Sequence, residues 1–197
     1  VYAKNMQGYK ELLKLATISK MGVDIEIDEL KDKVHDCVVI IPGDENKVVK
    51  MFLAGEKEEA NKLLIKYQNV FEDLYLGIDL QTLTMKENIL NLIKFANLRN
   101  VPCVALQKVS YLEKNCFEAY QYLKCIGMSL NDYPYNEKEM HSWLLTRLEA
   151  EGLFSKHKEL IDNSCLISEK CNVEITFDKY RMPKFVGEVT DNNQYLK

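Results

Sequence analysis

Long apolar runs, nucleotide-binding glycine loops and paired cysteines are all missing from this sequence of 197 residues. A membrane-spanning helix needs about 18 consecutive apolar residues, and no such run occurs. No signal-peptide pattern opens the chain. The motifs G-x-x-x-x-G-K-[ST], G-x-G-x-x-G, G-x-S-x-G and H-E-x-x-H are also absent. Local motifs therefore do not identify a reaction.

An excess of basic residues is missing as well. The chain has 26 Lys and Arg against 30 Asp and Glu, a net charge of −4. A surface that binds nucleic acid by charge alone usually carries a basic stripe. The six cysteines form no C-x-x-C pair, which favours reduced thiols over a disulfide framework or a zinc site. We expect a cytoplasmic protein that makes no membrane contact.

What is present is the composition of a folded domain. Hydrophobic residues make up 47% of the chain and charged residues 28%, which is typical of globular proteins. A chain of this length can bury a substantial core as one domain.

Strand and helix patterns alternate through the first half of the chain. Asn5 can cap a helix that extends to about Lys20. Short apolar runs at Cys37–Ile41, Leu74–Asp79 and Cys103–Gln107 predict buried strands. Helical patterns fill the intervals, over 46–54, 56–71 and 84–100, the last with a capping box at Thr84 and Glu87. A short acidic helix is predicted over 28–35. This alternation predicts an α/β domain with parallel strands, in an open sheet or part of a barrel.

The second half of the chain is predicted to be mostly helical. Helices are expected over 113–126, 136–150 and 155–171, with Gly127 and Gly152 as stop signals for the first two. The alternating segment 173–177 predicts a strand. The tail 186–197 has no strong pattern and is interpreted as a linker.

In parallel α/β folds, sites form at the carboxyl ends of the strands. The candidates there are Asp44, Glu45 and Asp79, three carboxylates that could bind a metal ion. Lys108 would place an ammonium among them, and its charge would repel a bound cation.

Several segments match a known family in order and spacing. They are Ala3–Leu15, Val39–Gly43, Leu53–Ala60, Val70–Leu76, Asn100–Ala105, Val109–Leu112, Glu118–Gln121, Glu169–Ile175 and Met182–Phe185. In this order they resemble the PHP (polymerase and histidinol phosphatase) domain of the bacterial DNA polymerase III alpha subunit. The resemblance implies part of a PHP-type (β/α) barrel, with parallel strands and a helix-rich C-terminal half.

The resemblance also implies that metal ligands are lost. Active PHP domains bind a metal cluster through His, Asp, Glu and Cys. Here the turn Cys appears as Asp44, the strand-end Asp as Lys108 and its partner His as Ser110, while Tyr120 and Gln121 replace a His–Asp pair. The implied domain is degenerate, with no catalytic residue, metal or cofactor of its own.

The function implied by this resemblance is that of a fragment of a larger enzyme. The family implies a partial PHP domain at 1–185, without its amino-terminal strands, and a linker at 186–197 toward the polymerase palm. The parent would be a DNA-directed DNA polymerase, a nucleotidyltransferase that uses magnesium and supplies all contact with DNA.

Expected partners are the rest of the alpha subunit and the proofreading exonuclease subunit. Self-association is also expected, because absent strands would leave a sheet edge open. Two alternatives remain. The chain could be a metal-dependent phosphoesterase with a rearranged site at Asp44, Glu45 and Asp79, or a stand-alone helical interaction module.

Overall fold

The structure, a computed structural model, describes residues 1–31, 33–175 and 177, in which a small sheet is flanked by helices. The strands are β1 (Tyr2–Ala3), β2 (Cys37–Ile41), β3 (Leu74–Ile78) and β4 (Cys103–Ala105). The α-helices are α1 (Met6–Lys20), α2 (Lys47–Leu53), α3 (Lys57–Val70), α4 (Leu83–Asn97), α5 (Phe117–Met128), α6 (Glu137–Met140), α7 (Arg147–Leu153) and α8 (Lys158–Lys170). Short 3₁₀ helices cover Ile27–Leu30 and Lys114–Cys116. Among the described helices, none is long and apolar enough to cross a membrane.

The sheet has the strand order β1-β2-β3-β4. The strands β2, β3 and β4 are parallel, with Ile40 opposite Tyr75 and Leu76 opposite Cys103. At one edge, β1 adds an antiparallel strand. Helices α2 and α3 connect β2 to β3, and α4 connects β3 to β4, because parallel neighbours need a crossover connection. The predicted α/β domain with parallel strands is confirmed as a mixed α/β fold around an open sheet, and the described residues show no closed barrel.

Both faces of the parallel strands are buried. On one face, alternate strand residues such as Val39, Leu74 and Leu76 join the main core. On the other face, Tyr75 packs with Ile167 of α8. The helical residues of the main core are Val48, Val49, Phe52, Ala60, Leu64, Met85, Leu92, Phe95, Ala96 and Leu160. Because each strand is covered on both sides, its sequence is continuously apolar rather than alternating.

Polar side chains define several helix ends. The Asn5 side chain accepts hydrogen bonds from the backbone N–H groups of Gln7 and Gly8 at 2.8 and 3.1 Å, so the predicted cap is confirmed. Asn100, the predicted last residue of the helical pattern 84–100, lies after the end of α4 in the left-handed conformation, with φ 55°. The predicted cap at Thr84 is wrong, because Thr82 caps α4 instead and the helix begins at Leu83.

The predicted single helix over 136–150 is also wrong. Helix α6 ends at Met140, and the chain runs on to pair Trp143 with Tyr111 in an isolated bridge before α7 begins. Gly152 lies inside α7 rather than after it. Gly127 likewise lies inside α5, which ends at Met128 and is followed by Ser129 in the left-handed conformation, with φ 54°.

Other predicted boundaries differ at the margins. Strand β4 ends at Ala105 rather than Gln107. The acidic segment forms only the 3₁₀ turn Ile27–Leu30 instead of a helix over 28–35. The predicted strand 173–177 is wrong for its described residues 173–175 and 177, which lie in no strand. The predicted linker 186–197, and the matching segment Met182–Phe185, lie outside the described residues.

Candidate functional site

The carboxyl ends of β2, β3 and β4 lie side by side along one edge of the sheet. Asp44 and Glu45 follow β2, Asp79 follows β3, and Lys108 follows β4. The Lys108 ammonium donates a hydrogen bond to Glu45 Oε1 at 3.0 Å. The structure therefore brings together the charged residues predicted for this edge, as parallel pairing requires.

A second ammonium lies among these carboxylates. Lys138 of α6 donates to Asp44 Oδ1, and its Nζ lies 3.3 Å from Asp79 Oδ2 and 3.7 Å from Glu45 Oε1. The Lys138 side chain is only 13% exposed. We call Asp44, Glu45, Asp79, Lys108 and Lys138 the strand-end cluster. Sequence reasoning missed Lys138, which is 59 residues from Asp79 and lies between two glutamates on a short helix, so no local pattern marks it.

Asp79 is the most deeply buried member of the strand-end cluster, with 1% of its surface exposed. Gly43 makes room for it, because a Cβ atom at that position would lie 2.0 Å from Asp79 Oδ2. Within the described residues, Asp79 Oδ1 has no hydrogen-bond partner. Burial raises the pKa of Asp79 above its ordinary value, although the charge of Lys138 opposes this shift. Asp79 is therefore the carboxylate that most needs a cation beside it.

The cluster keeps Lys138 charged. Burial would lower the pKa of Lys138, but the hydrogen bond to Asp44 and the negative charges of Asp79 and Asp44 outweigh it, so the pKa is raised. The hydrogen bond from Lys108 lowers the pKa of Glu45. The cluster thus sets three carboxyl groups against two lysine side chains of the same protein.

This arrangement does not fit the metal cluster that the resemblance would imply for an active domain. Asp44, Glu45 and Asp79 offer the oxygen ligands that hard divalent cations prefer. The Lys138 ammonium, however, contacts all three of them, and a nearby positive charge repels a metal ion. In the described part of the chain, no group of three or more His, Cys, Asp or Glu side chains is placed to hold a metal.

Two glutamine side chains fix the segment that carries Lys138. Gln81, which is 3% exposed, donates from Nε2 to the carbonyl of His141 at 2.8 Å. Gln107 donates from Nε2 to the carbonyl of Trp143 at 2.8 Å. Both bonds are made to the chain just after α6, which ends at Met140. They hold the end of α6 against the strand ends and so position the ammonium.

Glu139, the neighbour of Lys138, anchors the other side of α6. It is 8% exposed and accepts hydrogen bonds from Lys124 Nζ at 2.8 Å and from the Tyr133 hydroxyl. Burial would raise the pKa of Glu139, but these two donors lower it below its ordinary value. Adjacent residues of α6 thus form opposite ion pairs, one toward the sheet and one toward α5.

The remaining positions singled out from the sequence make other contacts. The Ser110 N–H donates to the carbonyl of Ser142 at 2.7 Å. The Tyr120 ring packs against Tyr111, with ring centroids 5.3 Å apart. Gln121 is half-buried on α5. The contacts observed for Ser110 and Tyr120 therefore belong to the packing beneath α5 and the 142–143 segment.

Comparison with known proteins relates nearly the whole chain to one subunit. No protein-family model matches the chain. DNA polymerase III subunit alpha of Pseudomonas aeruginosa is 27% identical over 197 residues, covering 93% of this chain and 16% of that protein. The subunit of the same name from Bacillus subtilis is 26% identical, covering 98% of this chain and 18% of that protein. The one from Buchnera aphidicola is 29% identical with the same coverage, 98% and 18%.

The chain is thus similar to a segment of DNA polymerase III subunit alpha over almost all of its length. It spans about a sixth of the length of these relatives. The predicted resemblance to that subunit is confirmed. The assignment to its PHP domain stays a prediction.

Proposed function

We propose that this chain is a non-catalytic, structural segment of a replicative DNA polymerase III alpha subunit, in the form of a degenerate PHP domain. Its open sheet would be part of a (β/α) barrel, with the domain at 1–185 and a linker at 186–197. DNA synthesis, DNA contact and the magnesium requirement would belong to the rest of the subunit. The similarity to alpha subunits supports the assignment to the polymerase.

One observation carries the non-catalytic part of the proposal. The Lys138 ammonium lies between the carboxylates at the strand ends, where a metal-dependent PHP domain would hold its ions. A metal-dependent hydrolase needs its cation to polarise the substrate or activate water. A lysine ammonium has no open coordination position and keeps its proton here, so it cannot replace a metal in that chemistry.

The test is metal content and turnover of the purified chain. After incubation with manganese or zinc and removal of free ions, we expect no stoichiometric metal and no hydrolysis of a generic phosphoester. Bound metal together with turnover that Asp44→Ala or Asp79→Ala abolishes would contradict the proposal. Asp132→Ala, which removes an exposed carboxylate outside the strand-end cluster, is the matched control.

A metal-dependent phosphoesterase is the second candidate. The convergence of Asp44, Glu45 and Asp79 favours it. It would require Lys138 to leave the cluster when metal binds. The same measurement decides between the two functions, because only the phosphoesterase predicts a metal-dependent turnover.

The structural role needs a surface for the rest of the subunit, and α5 provides one. None of the α5 residues is buried. Tyr122, Leu123 and Ile126 lie on one face of the helix with exposures of 63%, 69% and 76%, and Ala119 extends that face. Clustered exposed apolar side chains are a feature of interaction surfaces, so this face is our candidate. We assign it to the remainder of the alpha subunit, because the matched relatives are about six times longer than the span they share with this chain.

Co-expression of the chain and the remainder of its alpha subunit as separate polypeptides tests this assignment. Ile126→Lys is expected to lower the recovered complex at least tenfold. Leu98→Lys, at a leucine that is 81% exposed beyond the end of α4, should leave it unchanged. Equal recovery with both variants would place the contact elsewhere. Capture of the proofreading exonuclease subunit or of a second copy of the chain through α5 would assign the face to that partner instead.

A further inference from the structure

Helices α2, α3 and α4 enclose an open groove of about 560 Å³, away from the strand-end cluster. Two phenylalanine rings of α2 and α4, packed with their centroids 4.8 Å apart, form its apolar floor. Its charged lining consists of three cations and one carboxylate, which are Lys57, Lys94, Arg99 and Glu58. We call it the basic groove, since its charge is positive although the whole chain has a net charge of −4.

Two of the three cations are positioned by the basic groove itself. The Lys57 ammonium lies 5.8 Å from the centroid of the Phe52 ring, a distance at which a cation is attracted to the ring face. Arg99 donates from Nε to Asn61 Oδ1 at 2.6 Å, and this neutral partner leaves the guanidinium charge uncompensated. None of the ion pairs observed between described residues involves a cation of the basic groove.

The opposite charge is concentrated in residues 23–30, which we call the acidic segment. It contains four exposed carboxylates and no basic residue, and these are Asp24, Glu26, Asp28 and Glu29. Lys66 of α3 pairs with Asp28 at 2.9 Å, which fixes the acidic segment to the protein. In the described part of the chain, the other three carboxylates form no ion pair, so they are available to cations of another molecule.

Helix α3 separates the acidic segment from the basic groove of the same molecule. Asn61 and Gln68 both bond to Arg99, so they face the groove. Lys66, which holds the acidic segment, is five positions after Asn61 and therefore about 140° away around the helix. The two charged surfaces thus lie on opposite flanks of α3. The basic groove can receive an acidic segment only from a second molecule.

We propose that the basic groove binds the acidic segment of a second copy of this chain, so that copies associate head to tail. Opposite charges on the two surfaces fix the register of the contact and speed the encounter. Because the surfaces differ and lie on opposite flanks, each contact leaves a groove and a segment open for further copies. The contact is weak and salt-sensitive, since its ion pairs are exposed. This inference goes beyond the proposed function, which concerns contacts within one alpha subunit.

A nucleic acid fits the basic groove less well than a peptide does. Sites for single strands stack bases on open aromatic faces. Here Phe52 and Phe95 are each only 8% exposed, and the Lys57 ammonium lies over the Phe52 ring. The groove therefore offers charge without a stacking platform.

Sedimentation of the whole chain at increasing concentration tests the proposal. At low salt, the average mass of the wild type is expected to exceed that of two copies as the concentration approaches about 1 mM, the range of weak contacts. Association should weaken at least fivefold when the salt is raised to about 0.5 M, because the charges are then screened.

Charge reversal on each surface tests its place in the contact. Lys57→Glu/Lys94→Glu in the groove and Asp24→Lys/Glu26→Lys in the segment should each weaken association at least tenfold. An equal mixture of the two variants should restore it, because each reversed surface then meets the opposite charge. Lys156→Glu/Lys158→Glu is the matched control: it makes the same change in net charge at exposed lysines outside both surfaces and should associate like wild type.

Several outcomes overturn the proposal. They are a wild type that stays monomeric, an average mass that levels off at two copies, equal weakening in the groove variant and its control, and a mixture that fails to associate. Association lost in Ile126→Lys but kept in both reversals would place it on α5 instead. Binding of a single-stranded oligonucleotide that Lys57→Glu/Lys94→Glu abolishes, with self-association unchanged, would assign the groove to nucleic acid.

The variants also keep the proposal testable if a reversal impairs folding, which urea unfolding detects. Lys57→Gln/Lys94→Gln then replaces the groove reversal and should weaken association at least threefold; unchanged association overturns the proposal. Asp28 is left in place in the segment variant so that its ion pair with Lys66 still holds the segment. Failure of the proposal leaves the proposed function intact, because metal content and turnover are measured separately.

Discussion

Asp73 and Asp79 flank the two ends of β3, and each forms ion pairs with lysines that are distant in sequence. The two ends differ in the number of lysines available to each carboxylate. At the amino end, Asp73 binds two cations, Lys170 at 2.9 Å and Lys4 at 3.1 Å. At the carboxyl end, Asp79 shares Lys138 with two other carboxylates. The Asp73 side chain is 18% exposed, whereas that of Asp79 is 2% exposed.

The two ends differ in what their charges do to the carboxyl groups. Burial would raise the pKa of Asp73, but hydrogen bonds from Lys170 and Lys4 outweigh it and the pKa is lowered. The pKa of Asp79 is raised, because its burial outweighs its share of Lys138. At the amino end, the ion pairs of Asp73 with Lys4 and Lys170 stabilise the fold. At the carboxyl end a buried carboxylate depends on one cation, so the loss of that cation has the larger consequence.

The largest expected effect is the loss of Lys138. Lys138→Met should lower the free energy of unfolding at neutral pH by about 3–5 kcal/mol, since removing one partner leaves buried charge uncompensated. Lys170→Met, its counterpart at the amino end, should cost about 0.2–1 kcal/mol, because Lys170 is 43% exposed and Lys4 remains. Urea unfolding of both variants measures the difference. Equal losses would show that the two ends are energetically alike.

A smaller loss in the free energy of unfolding is expected from a substitution that crowds Asp79 than from one that removes its cation. Gly43→Ala places a methyl group 2.0 Å from the position of Asp79 Oδ2, so the carboxylate must move. We expect a loss of about 1–3 kcal/mol in the free energy of unfolding, typical of overpacking. Thermal or urea unfolding measures this loss.

Gly127→Ala is the control for this substitution. Nothing lies within 4 Å of a Cβ atom there, and the position is inside a helix. That variant should be neutral, or more stable by about 1 kcal/mol, from helix propensity alone. A Gly43→Ala protein as stable as wild type would mean that Asp79 has room to move.

The smallest effect concerns pH. Because the pKa of Asp73 is lowered, its contribution to stability is present above the ordinary aspartate value of about 3.9 and is lost as the pH falls below it. Asp79 has a raised pKa, so its contribution has the opposite sign: it is present at low pH and is lost as the pH rises through the folded-state pKa.

Unfolding free energies measured from pH 6 to pH 3 separate these contributions. Asp73→Asn should lose less stability on acidification than wild type, and Asp79→Asn should lose more. If both variants change the loss of unfolding free energy between pH 6 and pH 3 in the same direction, the assigned pKa directions are incorrect.

The sheet was predictable because its signals are local. The run Cys37–Ile41 is bounded by Pro42 and Gly43, and β2 has the predicted ends. The convergence of Asp44, Asp79 and Lys108 follows from the general rule that parallel strands end at one edge. These parts needed only short windows of sequence and a topological rule.

The rest of the cluster was not predictable because its causes are distant in sequence. Lys138 is 59 residues from Asp79, and the segment after its short helix is held by Gln81 and Gln107 through bonds that span 60 and 36 residues. The apolar pattern over 136–150 predicts one helix and does not reveal those long-range hydrogen bonds. The cap of α4 is a different kind of error. Thr84 has the capping-box glutamate three residues later, but the helix begins after Thr82, whose hydroxyl accepts a hydrogen bond from the Met85 N–H without such a glutamate.

The shared amide of Gln81 also has a kinetic consequence. Its Nε2 lies within hydrogen-bonding distance of three acceptors, which are the carbonyl of Lys108 at 2.9 Å, the carbonyl of His141 at 2.8 Å and the hydroxyl of Ser142 at 3.0 Å. Its two N–H groups can serve two of them at a time. The loop after β4 and the segment after α6 are thus tied to one side chain that is itself almost fully buried. We therefore expect the two loops to open together, as one cooperative unit.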